Sequence, residues 1–444
     1  MSGIFGIFAF DEIWRVSKFV YYGLLALQTR GQEVCGIACG GSDGIVTCAK
    51  RGYVDQSFKE NELEGIGGWY GIGYVGADPQ NVQPVTVRHN GITVSVCYSG
   101  RIFNLRELTK RYNLPEKENE SILFAKILAS EVRKSGPMNA AALLMEELEG
   151  VYTVLAITDQ KEMVAFRDSH GVKPLTIGSY GFDYGAIASE SAGLEVIGAD
   201  YKSDIMPGEI YLFTSYSIER EQVRAPQPKY CAFEYVYYAR PDSIINEKSV
   251  YDVRVKIGEY LAKESPVDVD VVVGVPETAI PFAMAYSNAT GTPIAMGFMR
   301  TGRHTRTAIK PTYFERLVGV QLKLNPIKSV FSGKRVLIID DSVVRGTTMK
   351  NVIHLLRNKM GAKEVHVRIG SPRLVNPCPY GTEVPTRDEL IAANLSEEEV
   401  AIVTGADSFK WLSIDSLIKA IGFPREYLCL RCFGGDGDEG PTHR

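Results

Sequence analysis

The sequence lacks the marks of several large classes of protein. No apolar run reaches the ~18 residues that a membrane helix needs, and the nearest candidate, 271–299, is broken by three prolines and a glutamate. Glycine (43) and proline (21) are close to average in a chain of 444 residues, which excludes a collagen-like or low-complexity protein. The 49 basic and 53 acidic residues give a net charge of −4, and hence no general attraction to nucleic acid or membranes. No signal peptide is visible, so we expect a cytoplasmic protein.

Cysteine is also scarce, and eight residues in the chain exclude a disulfide-rich scaffold and favour a reducing compartment. The six histidines show no spacing typical of metal ligands. Four cysteines lie in the first quarter of the chain, and the others are Cys231, Cys378 and a C-x-x-C pair, Cys429 and Cys432. Any bound metal is therefore expected to have thiolate or carboxylate ligands.

The length predicts two or three domains, and the first half has the pattern of an α+β sandwich. Short apolar strands separated by turn residues are predicted, for example over 151–158 and 163–166. Two helices are predicted among them, over 16–28 and 120–134. Strands in blocks with inserted helices are typical of the α+β class.

The pattern changes after the segment 224–229, which has two prolines and no apolar periodicity and is the predicted linker. Continuous apolar strands are predicted over 269–275, 335–339 and 364–369, and a helix with one apolar face over 348–360. Strands that alternate with helices in this way predict an α/β domain with a parallel sheet.

The strongest chemical signal is the string VLIIDDSVVRGTT at 336–348. Its apolar residues predict a buried strand that ends at Asp340 and Asp341, on the edge where parallel sheets bind ligands. Arg345-Gly-Thr-Thr348 then opens a helix, and the free amides, two hydroxyls and helix dipole at that point suit a phosphate. The two carboxylates suit either Mg²⁺ or ribose hydroxyls beside a phosphorylated sugar.

This string resembles the phosphoribosyl pyrophosphate (PRPP) signature of type I phosphoribosyltransferases. Its variant DDSVVRGTT is similar to that of the glutamine PRPP amidotransferases. The similarity extends through most of the chain, in segments such as 231–243, 371–389, 405–408, 167–175 and 189–191. It implies an α+β N-terminal-nucleophile hydrolase-like sandwich followed by an α/β type I phosphoribosyltransferase domain with a parallel sheet.

The resemblance also implies domain boundaries. A glutaminase-like domain is expected over 1–225 and a phosphoribosyltransferase domain with a carboxy-terminal cluster-binding segment over 226–433. The polar, glycine-rich tail 434–444 is expected to be disordered.

Roles for individual residues follow from the same resemblance. Catalysis at the PRPP site is implied for Asp340 and Asp341, and Mg²⁺ is expected on these carboxylates and on the Thr278 hydroxyl. The residues expected to bind PRPP are Asp340, Asp341, Ser342, Val343, Val344, Arg345, Gly346, Thr347, Thr348, Lys323 and Arg306.

One subgroup of the family carries a structural [4Fe–4S] cluster, and its cysteines match Cys231, Cys378, Cys429 and Cys432. A C-x-x-C pair and two distant cysteines supply the four thiolates that such a cluster needs. The residues alone accept Zn²⁺ equally, since tetrahedral zinc sites use the same ligands, and four unrelated buried cysteines are a third interpretation. The resemblance favours the cluster. Its expected role is structural, since it would join the carboxy-terminal segment to the start of the second domain.

The glutaminase half departs from the family at its reactive positions. The amino-terminal cysteine nucleophile is replaced by Ser2, a residue type that serves as nucleophile in other hydrolases of this fold. The family's arginine that binds the α-carboxylate of glutamine corresponds to Gly76 in this sequence. The family's asparagine that donates to the oxyanion corresponds to Ser99. The aspartate for the substrate ammonium falls near 119–121. We therefore predict that glutamine hydrolysis is lost and that Ser2 marks an inactive nucleophile position.

The phosphoribosyltransferase half departs less from the family than the glutaminase half does. Thr278 keeps a hydroxyl at the metal-side turn, although Glu277 replaces the family's aspartate. The loop 300–307 has arginines in altered places, and a solvated basic loop is the alternative interpretation. Lys323 is kept, whereas Gln321 stands where the family usually has arginine. We expect the protein to bind PRPP but not to turn it over rapidly.

Three functions fit these residues. The leading hypothesis is an amidophosphoribosyltransferase-type enzyme of purine synthesis, which makes 5-phosphoribosylamine from PRPP and ammonia from solution or a partner. The second is a non-catalytic paralogue that assembles with an active homologue or senses PRPP and purine nucleotides. The third is a phosphoribosyltransferase with another nucleophile. The expected partners are these small molecules, purine nucleotide effectors and further subunits, either identical or an active homologue, without nucleic acid or membranes.

Overall fold

The computed structural model describes residues 1–115, 117–300 and 324–435. In its first half two antiparallel sheets face each other. The first sheet has seven strands within the described residues, in the order Asp200–Asp204, Thr176–Tyr180, Tyr184–Ala188, Ser2–Ala9, Tyr70–Gly76, Val34–Gly41 and Gly44–Arg51. The second has six within the same residues, in the order Ile218–Gln222, Glu209–Phe213, Glu162–Arg167, Gly150–Thr158, Ile92–Ile102 and Val85–His89.

A core fills the space between the sheets because both turn apolar side chains inward. Phe8 of the first sheet shares one buried cluster with Leu155 and Met163 of the second, and its ring centroid lies 6.3 Å from that of Phe213 on the second sheet. Gly6 permits the close approach, since a Cβ there would lie 3.1 Å from the sulfur of Met163. The helices of this half are Ser17–Ala26, Val54–Ser57, Glu60–Gly65, Leu105–Arg111, Glu120–Glu147 and Ala192–Glu195.

The predicted helix 120–134 is the first part of the longer element Glu120–Glu147. The helical conformation is interrupted at Gly136, which has a φ of 80°, and Pro137 follows within the element. Proline fits the first turn of a helix, where its missing N–H needs no partner, so Pro137 begins a second segment.

The second half is built around a parallel sheet. Its strands within the described residues are, in spatial order, Val271–Gly274, Arg335–Asp340, Glu364–Ile369 and Ser408–Trp411. Short pairings join Tyr230–Cys231 to Leu428–Cys429, Ile244–Ile245 to Lys248–Ser249, and Phe298–Met299 to Asn325–Pro326. The α-helices within the described residues of this half are Val250–Glu264, Ile280–Thr290, Lys328–Phe331, Thr347–Leu355, Ile391–Asn394, Glu397–Thr404 and Ile414–Ile421.

The predicted fold class, an α+β sandwich followed by an α/β domain with a parallel sheet, is confirmed. The helix predicted over 348–360 is α-helical over Thr347–Leu355 and continues as a π-helical turn over Leu356–Met360. Within the part of the chain that the structure describes, no helix has the length and apolar character to cross a bilayer. The tail predicted over 434–444 lies outside the described residues from 436 onward.

Buried ion pairs join the two halves. Arg30 donates from Nε to Glu190 at 2.8 Å and from Nη2 to Glu234 at 2.7 Å. The three side chains are at most 2% exposed. Glu234 belongs to the second half, where it begins the π-helical turn Glu234–Tyr238. Because buried charges depend strongly on their partners, this network ties the sandwich to the second domain.

Candidate active site

Two carboxylates stand at the carboxyl end of a central strand of the parallel sheet. Asp340 ends the strand Arg335–Asp340, and Asp341 follows it. Their carbonyl oxygens accept hydrogen bonds from the amides of Gly370 (2.9 Å) and Ser371 (2.8 Å), just after the neighbouring strand. The backbone of the acidic pair is therefore fixed by the sheet.

Hydroxyl groups contact the second carboxylate. Ser342 Oγ donates to Asp341 Oδ1 at 2.6 Å. Thr278 lies in the turn after the strand Val271–Gly274, which pairs with the strand Arg335–Asp340, and its hydroxyl opposes the rise in the pKa of Asp341. The structure thus brings Thr278, Asp340 and Asp341, the three predicted Mg²⁺ residues, to one edge of the sheet.

Burial dominates the electrostatics of the pair. Burial and the charge of Asp341 raise the pKa of Asp340 well above its ordinary value. Burial raises the pKa of Asp341 to about 6, and the hydrogen bond from Ser342, the charge of Arg254 and the hydrogen bond from Thr278 oppose that rise. Two adjacent carboxylates, of which Asp340 is half-buried and Asp341 buried, favour added positive charge, such as a divalent cation or a cationic sugar.

A glycine turn leads from the acids into a helix. Gly346 has a φ of +74°, which favours glycine, and a Cβ there would lie 2.5 Å from Ile391 Cδ1. The helix Thr347–Leu355 begins at the next residue, and both Thr347 and Thr348 are exposed. Exposed hydroxyls at a helix N-terminus, with its free amides, suit an anion such as a phosphate.

The rest of this turn packs against the protein. Val343 is buried in the apolar core, and the Val344 carbonyl accepts a hydrogen bond from Ile391 N at 2.9 Å. Arg345 donates from Nε to Glu389 Oε2 at 2.6 Å. Sequence reasoning missed Glu389, since it lies 44 residues further along the chain and no local pattern marks it.

The structure describes only part of the predicted cationic loop. Arg300 lies 3.8 Å from the Glu277 carboxylate beside the site. Arg306 and Lys323, two of the predicted PRPP ligands, lie outside the described residues. Their roles stay predictions.

The four cysteines of the second half share one neighbourhood. The strands Tyr230–Cys231 and Leu428–Cys429 run in parallel and place Cys231 opposite Cys429. Burial raises the pKa of the Cys432 thiol, and the charges of Cys231, Cys429 and Cys378 add to this effect. Within residues 1–115, 117–300 and 324–435, however, no three His, Cys, Asp or Glu side chains are arranged to hold a metal ion.

The hydroxyl at the predicted nucleophile position is hydrogen-bonded within the protein. Ser2 Oγ donates to Ser99 Oγ at 2.9 Å, and Ser2 lies opposite Gly76 on the neighbouring strand. A Cβ at Gly76 would lie 2.5 Å from the ring of Tyr74, whose side chain is almost fully buried. Tyr74 therefore occupies the space that a side chain at residue 76 would need.

The position expected to bind the substrate ammonium has a structural role. The Asn119 side chain accepts a hydrogen bond from Ser121 N at 2.9 Å and caps the helix Glu120–Glu147. Ser121 donates to the Asn81 side chain. The polar groups of this segment are thus used within the protein.

Comparison with known proteins places both halves in one family. The family model of the glutamine amidotransferase domain matches residues 75–195, and that of the phosphoribosyl transferase domain matches residues 245–369. An amidophosphoribosyltransferase of Methanocaldococcus jannaschii is 39% identical, with 98% of this chain and 97% of its own length covered. That of Methanothermobacter thermautotrophicus is 38% identical, with coverages of 98% and 94%. The chain belongs to the amidophosphoribosyltransferase family.

A solved structure agrees with this membership. The glutamine PRPP amidotransferase from B. subtilis, complexed with ADP and GMP, is 34% identical. It superposes with a TM-score of 0.88, covering 98% of this chain and 96% of its own. The family resemblance and the order of the two folds predicted from the sequence are thereby confirmed. The boundaries at 225/226 and 433/434 stay predictions.

Proposed function

We propose that this member of the amidophosphoribosyltransferase family forms 5-phosphoribosylamine from PRPP and ammonia in purine synthesis. The observation that carries the proposal is the joint placement of Asp340, Asp341 and Thr278 beside the helix that begins at Thr347. PRPP needs acidic groups near its ribose and an anion site for its 5-phosphate, and this edge of the sheet offers both.

The reaction breaks the bond between C1 of the ribose and pyrophosphate, while ammonia forms the C1–N bond and gives up a proton to solvent. The sugar gains positive charge as pyrophosphate leaves, and the carboxylates of Asp340 and Asp341 stabilise that charge. The hydroxyls of Thr347 and Thr348 and the amides at the helix start hold the 5-phosphate. Mg²⁺ bound by Thr278 and the two carboxylates would neutralise charge on the pyrophosphate.

Free ammonia is the nitrogen source in this proposal, from solution or from a partner subunit. Two contacts support the loss of glutamine hydrolysis: Ser2 is hydrogen-bonded to Ser99, and the Tyr74 ring fills the space beside Gly76. Without a cation at residue 76, the α-carboxylate of glutamine has no bidentate partner there.

A second candidate is a protein that binds PRPP without turnover, as a partner of an active homologue or as a sensor of PRPP and purine nucleotides. The pairing of Arg345 with Glu389 favours this role because it removes a free cation from the phosphate turn.

A product assay with PRPP and Mg²⁺ separates the two candidates. Pyrophosphate release with ammonium, but not with glutamine, supports the enzyme. Calorimetric PRPP binding without pyrophosphate release at saturating ammonium supports the second role. Absence of binding would discard both.

Thr347→Val is expected to weaken PRPP binding by about 1–3 kcal/mol, since it removes a hydrogen bond to a charged phosphate. Calorimetry with PRPP and Mg²⁺ measures the loss. Thr347→Ser keeps the hydroxyl and is the matched control, so its affinity should stay near that of the wild type. Equal weakening in both variants would contradict the assigned contact.

We also propose that Cys231, Cys378, Cys429 and Cys432 hold a [4Fe–4S] cluster. The placement of Cys231 opposite Cys429 supports this proposal. The other three cysteines raise the pKa of the Cys432 thiol, which supports it further because such an effect needs the side chains to be close together. Thiolates are the ligands that such clusters use, and Zn²⁺ is the alternative for the same set. The cluster would be structural because its ligands come from distant segments of the chain.

Protein purified without oxygen is expected to contain about four iron and four sulfide per chain. Cys429→Ser should lose both and lower the melting temperature, since metal binding is coupled to folding. Cys48→Ser, in the strand Gly44–Arg51 of the first half, is the control and should keep the cluster. Stoichiometric zinc without iron would refute the assignment.

We further propose that the protein works in the cytoplasm, where thiols stay reduced. Purine nucleotides are the proposed effectors, supported by the ADP and GMP in the B. subtilis complex. The proposed assembly is a homo-oligomer or a hetero-oligomer with an active homologue.

A further inference from the structure

A carboxylate is paired with the arginine that precedes the proposed phosphate site. Glu389 Oε2 accepts a hydrogen bond from Arg345 Nε at 2.6 Å, and Arg345 Nη2 contacts the same oxygen. Arg345 stands just before Gly346 and the helix Thr347–Leu355, whose amino terminus is the proposed site of the 5-phosphate. One edge of the guanidinium, which could otherwise hold a phosphate through two N–H groups, is therefore used by a carboxylate.

The main chain that carries Glu389 is held against the turn 344–346. Ile391 N donates to the Val344 carbonyl at 2.9 Å. A Cβ at Gly346 would lie 2.5 Å from Ile391 Cδ1, so the isoleucine side chain covers that glycine. Leu390, the residue after Glu389, is fully buried. These contacts fix the position from which Glu389 reaches Arg345.

The two charged side chains themselves are open to solvent. The side chain of Arg345 is 59% exposed and that of Glu389 is 40% exposed. Water screens an ion pair of this kind, so the pair is weak and its partners can exchange. A phosphate offers the same guanidinium edge a charge-assisted, two-pronged partner. An anionic ligand can therefore displace Glu389 by side-chain rotation alone, without movement of the buried main chain beside it.

We propose that Glu389 is a specificity-determining residue of the PRPP site: its carboxylate engages Arg345 in the free protein and competes with the 5-phosphate of the ligand for that guanidinium. The inference rests on the proposed function, because that function places the 5-phosphate at this helix start. A sugar without a 5-phosphate cannot displace the carboxylate, so the pair favours phosphorylated sugars over unphosphorylated ones.

Glu389→Gln tests the competition, with ribose 5-phosphate as the probe because it carries the 5-phosphate without the pyrophosphate. Calorimetry should show affinity raised by about three- to tenfold, since a neutral amide holds the guanidinium less tightly than a carboxylate does. Asp415→Asn is the matched control. Asp415 lies 3.5 Å from Arg425 in another exposed pair of the same domain. Its loss removes the same charge and should leave the affinity within about twofold.

A double-mutant cycle shows whether the gain passes through Arg345. In an Arg345→Gln background, Glu389→Gln should raise the affinity by less than about twofold, because no guanidinium is left to release. A merely structural role of Glu389 predicts a lower melting temperature and no gain in affinity. Unchanged or lower affinity in Glu389→Gln, an equal gain in Asp415→Asn, or a full gain without Arg345 would overturn the proposed competition.

Pyrophosphate release from PRPP with ammonium, measured on the same wild-type preparation, separates this inference from the proposed function. Release without the Glu389→Gln gain would overturn the competition and leave the proposed function standing. The gain without release would uphold the competition at a site that binds PRPP without turnover. Absence of ribose 5-phosphate binding in every variant would overturn the competition, and absence of PRPP binding as well would overturn both.

Discussion

Glutamine hydrolysis by the purified protein is expected to stay at background, and Ser2→Cys alone is expected to leave it there. A thiol at residue 2 restores a nucleophile, but the Tyr74 ring still fills the space where the family's arginine holds the substrate. Loss of an oxyanion donor, here at Ser99, costs about 10²–10³ in rate by itself. Glutamate release, measured with and without PRPP, tests the prediction.

The assay needs proof that the same protein is folded and competent. Ammonium-dependent pyrophosphate release by the same preparation provides it. A second variant combines Ser2→Cys with Tyr74→His, Gly76→Arg and Ser99→Asn. It tests whether restoring the family's residues at these positions is sufficient for glutamine hydrolysis. Glutamate above background from the wild type, or from Ser2→Cys, would show that the site is not closed.

Asp341→Asn should weaken Mg²⁺-dependent PRPP binding by about 100-fold, or about 2.7 kcal/mol. Asparagine keeps the shape and can still contact Ser342 and Thr278, but it removes the negative charge that a divalent cation and a cationic sugar need. Calorimetry with and without Mg²⁺ measures the loss. The difference between the two titrations should nearly vanish in the variant.

Asp270→Asn is the control for this substitution. Asp270 precedes the strand Val271–Gly274, at the amino end of the sheet, and pairs with Arg335 at 2.9 Å. Its loss should leave PRPP affinity unchanged because ligands bind at the opposite edge. An Asp341→Asn protein that binds PRPP like the wild type would remove the acidic pair from the site.

Features carried by consecutive residues could be predicted from the sequence. The apolar strand, the two acids and the glycine before a helix follow one another over 336–348, and the structure keeps that order. The replacement of arginine by Gly76 was equally local. The covering of Gly76 by the Tyr74 ring could also be predicted, because the two residues are two apart on one strand and therefore share a face.

Other features depend on contacts between distant segments. Glu389 meets Arg345 only because the segment before Ile391 packs on the phosphate turn. Arg254 looks like an ordinary charge on an amphipathic helix until the fold buries it. No periodicity or spacing reports such pairings, since they arise from tertiary packing.

The ion network of Arg30, Glu190 and Glu234 bears on why the amino-terminal domain would be kept under the proposed loss of glutamine hydrolysis. A truncated gene that encoded the second half alone would expose Glu234 to water, together with the apolar surface that Val151 and Val172 of the sandwich cover. An exposed apolar patch of this kind favours aggregation of the isolated domain. Selection for the proposed PRPP chemistry would therefore preserve the amino-terminal half as a scaffold, whether or not that half hydrolyses glutamine.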